Sequence, residues 1–292
     1  MIIDFPLKTN PYNQKKLWYA EKLRPSSMTG VTLLEPNLLV CSSYWMREIY
    51  LVQFDENNYE ILDKKTTISN KKPTQTELLD SIKTDDGYEI VASNFDNHPL
   101  SFYEVKNNKI NFLRSCPDIN LGICHGVKFY KSDKVVTAVS GCSNPKKGVY
   151  GFDKNKSKPF FHLSHKWLCK DIGFIGENIM IVLLCNSAPH DNEKRIYDTA
   201  IEVYDIQNQP VLIDRMEFKN THADALKIIN NSIFATIEEA YIDGSVWEFE
   251  FDNKLNFIKK IGNYSFPHGI DIKFGLIAVT EYGKSTVVIS KI

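Results

Sequence analysis

Hydrophobic and polar residues alternate in short runs along the whole chain. Runs such as Lys134 to Ser140, Ile233 to Ile237 and Leu276 to Thr280 are rich in apolar residues, β-branched ones prominent among them. Such runs are broken about every 8 to 12 residues by Asn, Asp, Gly and Lys. A period of two predicts strands, and no stretch carries the 3.6-residue stripe of a long amphipathic helix. The chain reads as all-β.

Aligned on itself, the chain shows a repeat. Thr29-Gly30-Val31-Thr32, Asp80-Ser81-Ile82-Lys83, His125-Gly126-Val127-Lys128, Lys170-Asp171-Ile172-Gly173, Asp224-Ala225-Leu226-Lys227 and His268-Gly269-Ile270-Asp271 follow one another at spacings of about 44 to 54 residues. Each opens a unit: a first apolar strand, a tight turn, a second buried strand, a third strand that carries an aromatic and usually ends in Asp (Ile49 to Asp55, Val149 to Asp153, Ile201 to Asp205, Val246 to Asp252), and a shorter polar fourth. The last unit stops after its third strand, Thr286 to Ile292, so the N-terminal segment is expected to supply the missing strand, with Lys15 to Leu23 as the donor. That closure leaves no open ring edge. The prediction is a six-bladed β-propeller forming one domain over residues 1–292, with blades opening near 29, 80, 125, 170, 224 and 268. A pair of β-sandwiches is the alternative, but it does not require a repeat of this length.

In a propeller, equivalent repeat positions form rings around the central channel. The alignment puts Thr29, Asp80, His125, Lys170, Asp224 and His268 at the strand-opening position, five of them ionisable. Opposite blades would then face Asp80 with Asp224 and His125 with His268. A second layer comes from the ends of the second strands: Ser43 and Tyr44, Asn94 and Asp96, Ser140, Asn186, Glu238 and Glu239, and Glu281. In the fifth blade His222 takes the ring position instead of Asp224 if the strand opens with a bulge.

Composition narrows the function classes. With 292 residues, 43% hydrophobic and 24% charged, the chain is long enough to bury a large core. Its 35 basic and 36 acidic residues give a net charge of -1 with no long block of one sign, which argues against a nucleic-acid surface. The N-terminus lacks the apolar core of a signal peptide, and the longest apolar run, Ile179 to Cys185, is far short of a membrane span, so a cytoplasmic location and no membrane partner are expected. Six cysteines without a C-x-x-C pair read as reduced structural thiols.

The structural reading of the ring is that its His, Asp and Lys satisfy backbone groups at blade junctions. The functional reading rests on the conjunction, because groups of such different acidity around one mouth are what acid-base catalysis or metal ligation needs. Two chemistries follow. In one, His125, His268 and either His222 or Glu239 hold a divalent cation that polarises a carbonyl or activates water. In the other no metal takes part: a His is the base, an Asp or Glu orients it, and Lys170 stabilises negative charge on a small polar substrate. Asn94, Asn186, Glu239, Glu281 and Tyr44 are the expected substrate contacts. Gly283-Lys284-Ser285-Thr286 runs into a strand and lacks the first glycine of a phosphate loop, and no G-x-S-x-G occurs. The Asn186 to Thr199 stretch is a long rim loop that reads either as a lid or specificity loop or as an ordinary solvated insertion. The alternative to an enzyme is a non-catalytic propeller that docks a protein or ligand through rim aromatics such as Tyr44, Trp45, Tyr241 and Tyr282.

The repeat over nearly the whole chain resembles the six-bladed propellers of the gluconolactonase and regucalcin type, the strictosidine synthase type and the paraoxonase type. Pro267-His268-Gly269-Ile270 is similar to the Pro-His-Gly-Ile segment of paraoxonase-like enzymes. The resemblance implies an active-site role for His268, ester or lactone hydrolysis, and an axial calcium ion for which Asn94, Asn186, Glu239 and Glu281 are the counterparts here.

Overall fold

A computed structural model describes residues 1–5, 27–95, 98–116, 121–140, 147–186, 197–240 and 243–292. Six four-stranded antiparallel sheets make up the molecule, with one extra two-stranded hairpin at Ile68–Ser69 and Lys72–Pro73 and no helix among the described residues. The first, innermost strands are Met28–Glu35, Thr76–Thr84, Cys124–Lys131, Leu168–Ile175, His222–Ile229 and Pro267–Lys273. Each packs beside the innermost strands of the blades before and after it, which closes a ring around a central channel. The six-bladed β-propeller expected from the repeat is therefore observed.

The pattern of burial explains why these residues form blades. Inner and middle strands are buried on both faces, as in Ile179–Cys185, whereas outer strands such as Val211–Phe218 carry exposed and half-buried residues. Among the described residues, each junction between neighbouring blades holds a cluster of buried apolar side chains. Each blade thus buries the same two faces against its neighbours, and this common demand produces the sequence repeat. No helix among the described residues is long and apolar enough to cross a membrane.

The ring closes as the unit count requires, but with a different segment. Ile2–Asp4 pairs antiparallel with Thr286–Lys291 and becomes the outer strand of the sixth blade, Ile2 opposite Val288 and Asp4 opposite Thr286. The Ile289 N–H donates to the Met1 carbonyl at 2.8 Å, and Ile3 and Phe5 enter the apolar cluster between the sixth and first blades. The expected donor, Lys15 to Leu23, lies outside the described residues.

One local feature sets up the candidate site. The first strand of every blade slips register against the second at the same place: between Met28 and Val31, Thr76 and Leu79, Cys124 and Gly126, Cys169 and Asp171, Ala223 and Leu226, and Pro267 and Ile270. These are β-bulges, which take a residue out of the ladder and re-aim its side chain. The first residue skipped is in turn Thr29, Glu77, His125, Lys170, Asp224 and His268. Ser and Thr hydroxyls on the second strands satisfy the freed backbone: the Gly30 N–H donates to Ser42 Oγ at 3.0 Å, Leu78 N–H to Ser93 Oγ at 2.9 Å, Ala225 N–H to Thr236 Oγ1 at 3.0 Å and Gly269 N–H to Thr280 Oγ1 at 2.6 Å.

Candidate functional site at the channel mouth

The bulges deliver a ring of side chains to one end of the channel. Glu77, His125, Lys170, Asp224 and His268 line a pocket of about 190 Å³, joined by His222, Ser140 and an aromatic rim of Tyr44, Phe95, Tyr197, Phe266 and Tyr282. All five ionisable ring residues are buried. Four of the five expected ionisable members are therefore present, and the second blade contributes Glu77 in place of Asp80.

Asp80 sits three residues further along its strand, where its carboxylate accepts the Phe129 N–H of the next blade at 2.8 Å. Asp171 does the same for Leu226 N–H at 2.9 Å and Asp271 for Leu33 N–H at 2.7 Å, so alternate blades each tie down the blade that follows. Lys128 pairs with Asp171 at 2.9 Å and Lys227 with Asp271 at 2.6 Å, completing a belt of alternating sign. Asp80 belongs to this structural belt, for which the bonding of junction backbone is the right description.

At the mouth, Lys170 is the hub. Its Nζ lies 2.8 Å from Asp224 Oδ1 and 3.2 Å from His125 Nε2. His125 Nδ1 faces the Lys170 carbonyl at 3.0 Å, so Nδ1 carries the proton and the Nε2 lone pair accepts from the ammonium. His125 Nε2 is also 3.1 Å from Asp224 Oδ1, but one lone pair cannot accept from Lys170 and also donate to a carboxylate. The neutral ring with the ammonium between them resolves this. Burial, then the Lys170 charge, push the His125 imidazolium down to about 3. Burial acts to lower Lys170, yet the Asp224 charge and its hydrogen bond, together with the other acidic groups nearby, outweigh it and hold the ammonium above its ordinary value. Burial acts to raise the Asp224 carboxyl, and His222, Lys170 and His268 around it hold it well below the usual range.

His268 stacks on His125 with centroids 5.3 Å apart and planes 22° from parallel, and on Tyr282 at 5.6 Å. Its Nε2 lies 3.4 Å from Glu77 Oε2 and 3.8 Å from Asp224 Oδ1. His222 Nδ1 is 3.2 Å from Glu238 Oε1 and 3.4 Å from Asp224 Oδ2. Among the described residues two groups therefore have metal-ligand types in reach of one another, Glu77 with His125 and His268, and His222 with Asp224 and Glu238. The expected trio of His125, His222 and His268 is split between them, with Asp224 in the middle.

The second layer contributes less than expected. Tyr44 lines the pocket, packed edge-on against Trp45 at 4.8 Å and Phe95 at 5.6 Å. Asn94 is buried below it, its amide donating to the His98 carbonyl at 3.0 Å and to Ser101 Oγ at 2.8 Å. Glu281 accepts from Ser265 N–H at 2.7 Å and Thr286 Oγ1 at 2.6 Å and so braces a turn. Glu239 is exposed and pairs with Lys260, and the buried neighbour Glu238 takes the inward place. The half-buried Asn186 donates its N–H to the Asp198 carbonyl at 2.8 Å and does not line the pocket. None of Asn94, Asn186, Glu239 and Glu281, the counterparts of the axial calcium ligands implied by the family resemblance, lines this pocket. Asp96, Tyr241 and residues 187–196 of the long rim loop lie outside the described residues. Trp45, Phe266 and Tyr282 form a small buried cluster. None of the five described cysteines forms a disulfide, and burial pushes the Cys185 thiol up to about 11.

Glu77 is the site residue that sequence reasoning missed. The signal was available, since Glu77-Leu78-Leu79-Asp80 matches His268-Gly269-Ile270-Asp271 in its last two positions. Tyr197, Phe95 and Phe266 carry no such signal, because they arrive from loops.

No protein-family model matches the chain, and no curated protein matches it. Solved structures do. The C-terminal WD40 domain of Sif2 aligns with a TM-score of 0.51 at 10% identity, covering 91% of this chain and 96% of that one. The β-propeller domain of Cps50 (Swd1) from Myceliophteria thermophila aligns at 0.58 and 8% identity, covering 91% and 82%. Hydrazine synthase of Kuenenia stuttgartiensis aligns at 0.62 and 12% identity, covering 97% and 80%. At such low identity these likenesses establish the propeller fold and nothing about chemistry.

Proposed function

We propose that the chain is an enzyme that acts on a small polar molecule at the channel mouth, with hydrolysis of an ester or lactone as the favoured reaction. The observation that carries this reading is the ring itself: five buried ionisable side chains from five blades, each re-aimed by a bulge, open into one pocket. Burying so many titratable groups at one point is costly, and the junctions elsewhere in the fold are tied more simply by the Asp belt.

The roles follow from geometry. His125 is a neutral spacer, locked by Lys170 on both nitrogens, and is a poor base. His268, flanked by the Glu77 carboxylate, is the proton-transfer group. In hydrolysis, water attacks the acyl carbon as His268 takes its proton, and Glu77 stabilises the imidazolium. Negative charge on the acyl oxygen is met by the Lys170 ammonium. Collapse breaks the bond to the leaving oxygen, which receives the proton back from His268.

The competing reading, a non-catalytic propeller that docks a protein, draws on the WD40 domain of Sif2 among the structural neighbours. It loses weight because Trp45 is buried inside an aromatic cluster and Tyr282 turns its ring toward the pocket, where it stacks on His268. The test is a panel of chromogenic esters and small lactones offered to the wild-type chain, Glu77→Gln and His268→Gln. Turnover that falls by about 10² to 10⁴ in both variants supports the assignment. No turnover of any panel member by the wild type, or equal turnover in the variants, overturns it.

A further inference from the structure

We propose that His222 Nδ1, Asp224 Oδ2 and Glu238 Oε1 form a binding site for one divalent transition-metal cation at the edge of the channel-mouth pocket. The inference concerns the same pocket but does not rest on its being catalytic, since it asks only for binding.

The three donors come from a single hairpin. His222 and Glu238 stand directly opposite each other in the register of the first two strands of the fifth blade, and Asp224 follows two residues on, at the bulge that turns it inward. The Nδ1 nitrogen is 3.2 Å from the Glu238 oxygen and 3.4 Å from the Asp224 oxygen, and all three ligand atoms lie within 4.8 Å of one another. Paired strands are rigid, so the set is preformed.

Two features point to a cation in particular. First, Asp224 Oδ2 is buried, on a side chain only 2% exposed, and accepts no hydrogen bond. The other oxygen of the same carboxylate is held by Lys170 at 2.8 Å. A fully buried carboxylate oxygen without a donor is costly, and here it is aimed at the other two ligand atoms. Secondly, Nδ1 bears at most one hydrogen, which can be given to one of the two carboxylates but not to both. A cation among the three satisfies every donor at once, with Lys170 acting from outside as the second partner that fixes the Asp224 carboxylate.

The donor set selects the class of metal. One imidazole and two carboxylates match the charge of a dication and the N,O preference of Mn²⁺, Fe²⁺, Co²⁺ or Zn²⁺, whereas Ca²⁺ demands six or more oxygens. The neighbouring group of Glu77, His125 and His268 is the weaker candidate. There the Nε2 lone pair of His125 already accepts from the Lys170 ammonium at 3.2 Å, so a second cation would meet a fixed positive charge.

The experiment uses the full chain, stripped with chelator and desalted, then titrated with ZnCl₂ by calorimetry and with CoCl₂ by visible absorption. We expect one saturable site per chain. Glu238→Gln and His222→Gln should each weaken Zn²⁺ binding by about 100-fold or more, since loss of even an outer partner of a ligand costs 10- to 100-fold. Both should remove the Co²⁺ band, and Glu77→Gln should leave affinity unchanged. Melting temperatures check that each variant folds, and Glu238→Gln, which keeps the shape of the side chain, decides alone if His222→Gln does not. Absence of saturable binding in the wild type, equal affinity in Glu238→Gln, or loss in Glu77→Gln but not in Glu238→Gln overturns the proposal. Ester turnover that persists in metal-free protein would leave the acid-base reading standing without the cation.

Discussion

Lys170 Nζ lies 2.8 Å from Asp224 Oδ1, and this one contact joins the fourth and fifth blades at the centre of the ring. Both side chains are buried, so neither charge can be relieved by water if the other is removed. Lys170→Met should therefore destabilise the chain by about 3 to 5 kcal/mol, the usual cost of leaving one member of a buried pair uncompensated. Adding Asp224→Asn to that variant should restore much of the loss, because the orphaned charge is gone. Denaturant unfolding of the two single variants and the double closes the cycle. Strictly additive losses would mean that the contact does not couple the blades.

A second buried acid gives a pH signature. Burial acts to raise the Asp271 carboxyl, but Lys227 at 2.6 Å and Lys273 at 3.2 Å outweigh it and hold the group down to about 2. A carboxyl depressed in the folded state contributes stability that is fully present above its ordinary value and is lost as pH falls through the folded one. The window is thus pH 4 to 2, and the size is about 2 kcal/mol. Asp171 works in the other direction, since burial leaves its carboxyl raised. Asp271→Asn should flatten the acid limb of the stability curve by about that amount, measured as unfolding free energy against pH. An unchanged acid limb would assign the acid sensitivity to other carboxylates.

The exchange of Asp80 for Glu77 separates structure from function within one strand. Asp80→Ala removes the acceptor of the Phe129 N–H and should cost about 1 to 3 kcal/mol of stability while leaving chemistry at the mouth intact. Glu77→Gln should do the reverse, holding its melting temperature within a few degrees while losing turnover. Thermal melts and the ester panel, run side by side on both variants, read out the two effects. If Asp80→Ala lost activity and kept stability, the ring would follow the simple spacing of the repeat.

That exchange also shows how far the sequence can be read. Six blades were legible because every blade buries the same faces, and such burial must recur in the residues. Register at the bulges was not, since Glu77-Leu78-Leu79 and Asp80-Ser81-Ile82 both offer a polar residue two places before an apolar one. Only the pairing of Thr76 with Asn94 and of Leu79 with Ala92 decides between them. The closing strand was likewise expected in the wrong segment, because three residues, Ile2–Asp4, are too few to display a period. Glu238 and Glu239 are adjacent in sequence and differ only in which face of the strand they occupy, so a bulge nearby inverts the choice.

Gly269 tests whether the bulges hold the ring together. A Cβ added there would collide with the carbonyl oxygen of Thr29 in the first blade, and the Thr280 Oγ1 that binds both backbones lies 3.1 Å from the same point. The obstacle is backbone and cannot swing aside, so relief requires the sixth blade to move away from the first. That is the junction where the chain closes on itself, and loosening it also exposes the cluster around Ile3 and Phe5. Gly269→Ala should therefore cost about 3 kcal/mol, the upper end for forcing an extra carbon into a packed interior. Hydrogen exchange should show the loss first in the Ile2–Asp4 and Thr286–Lys291 pairing, because local opening begins where packing is weakest. Uniform exchange across all six blades would instead mean that the closure is no weaker than the other junctions.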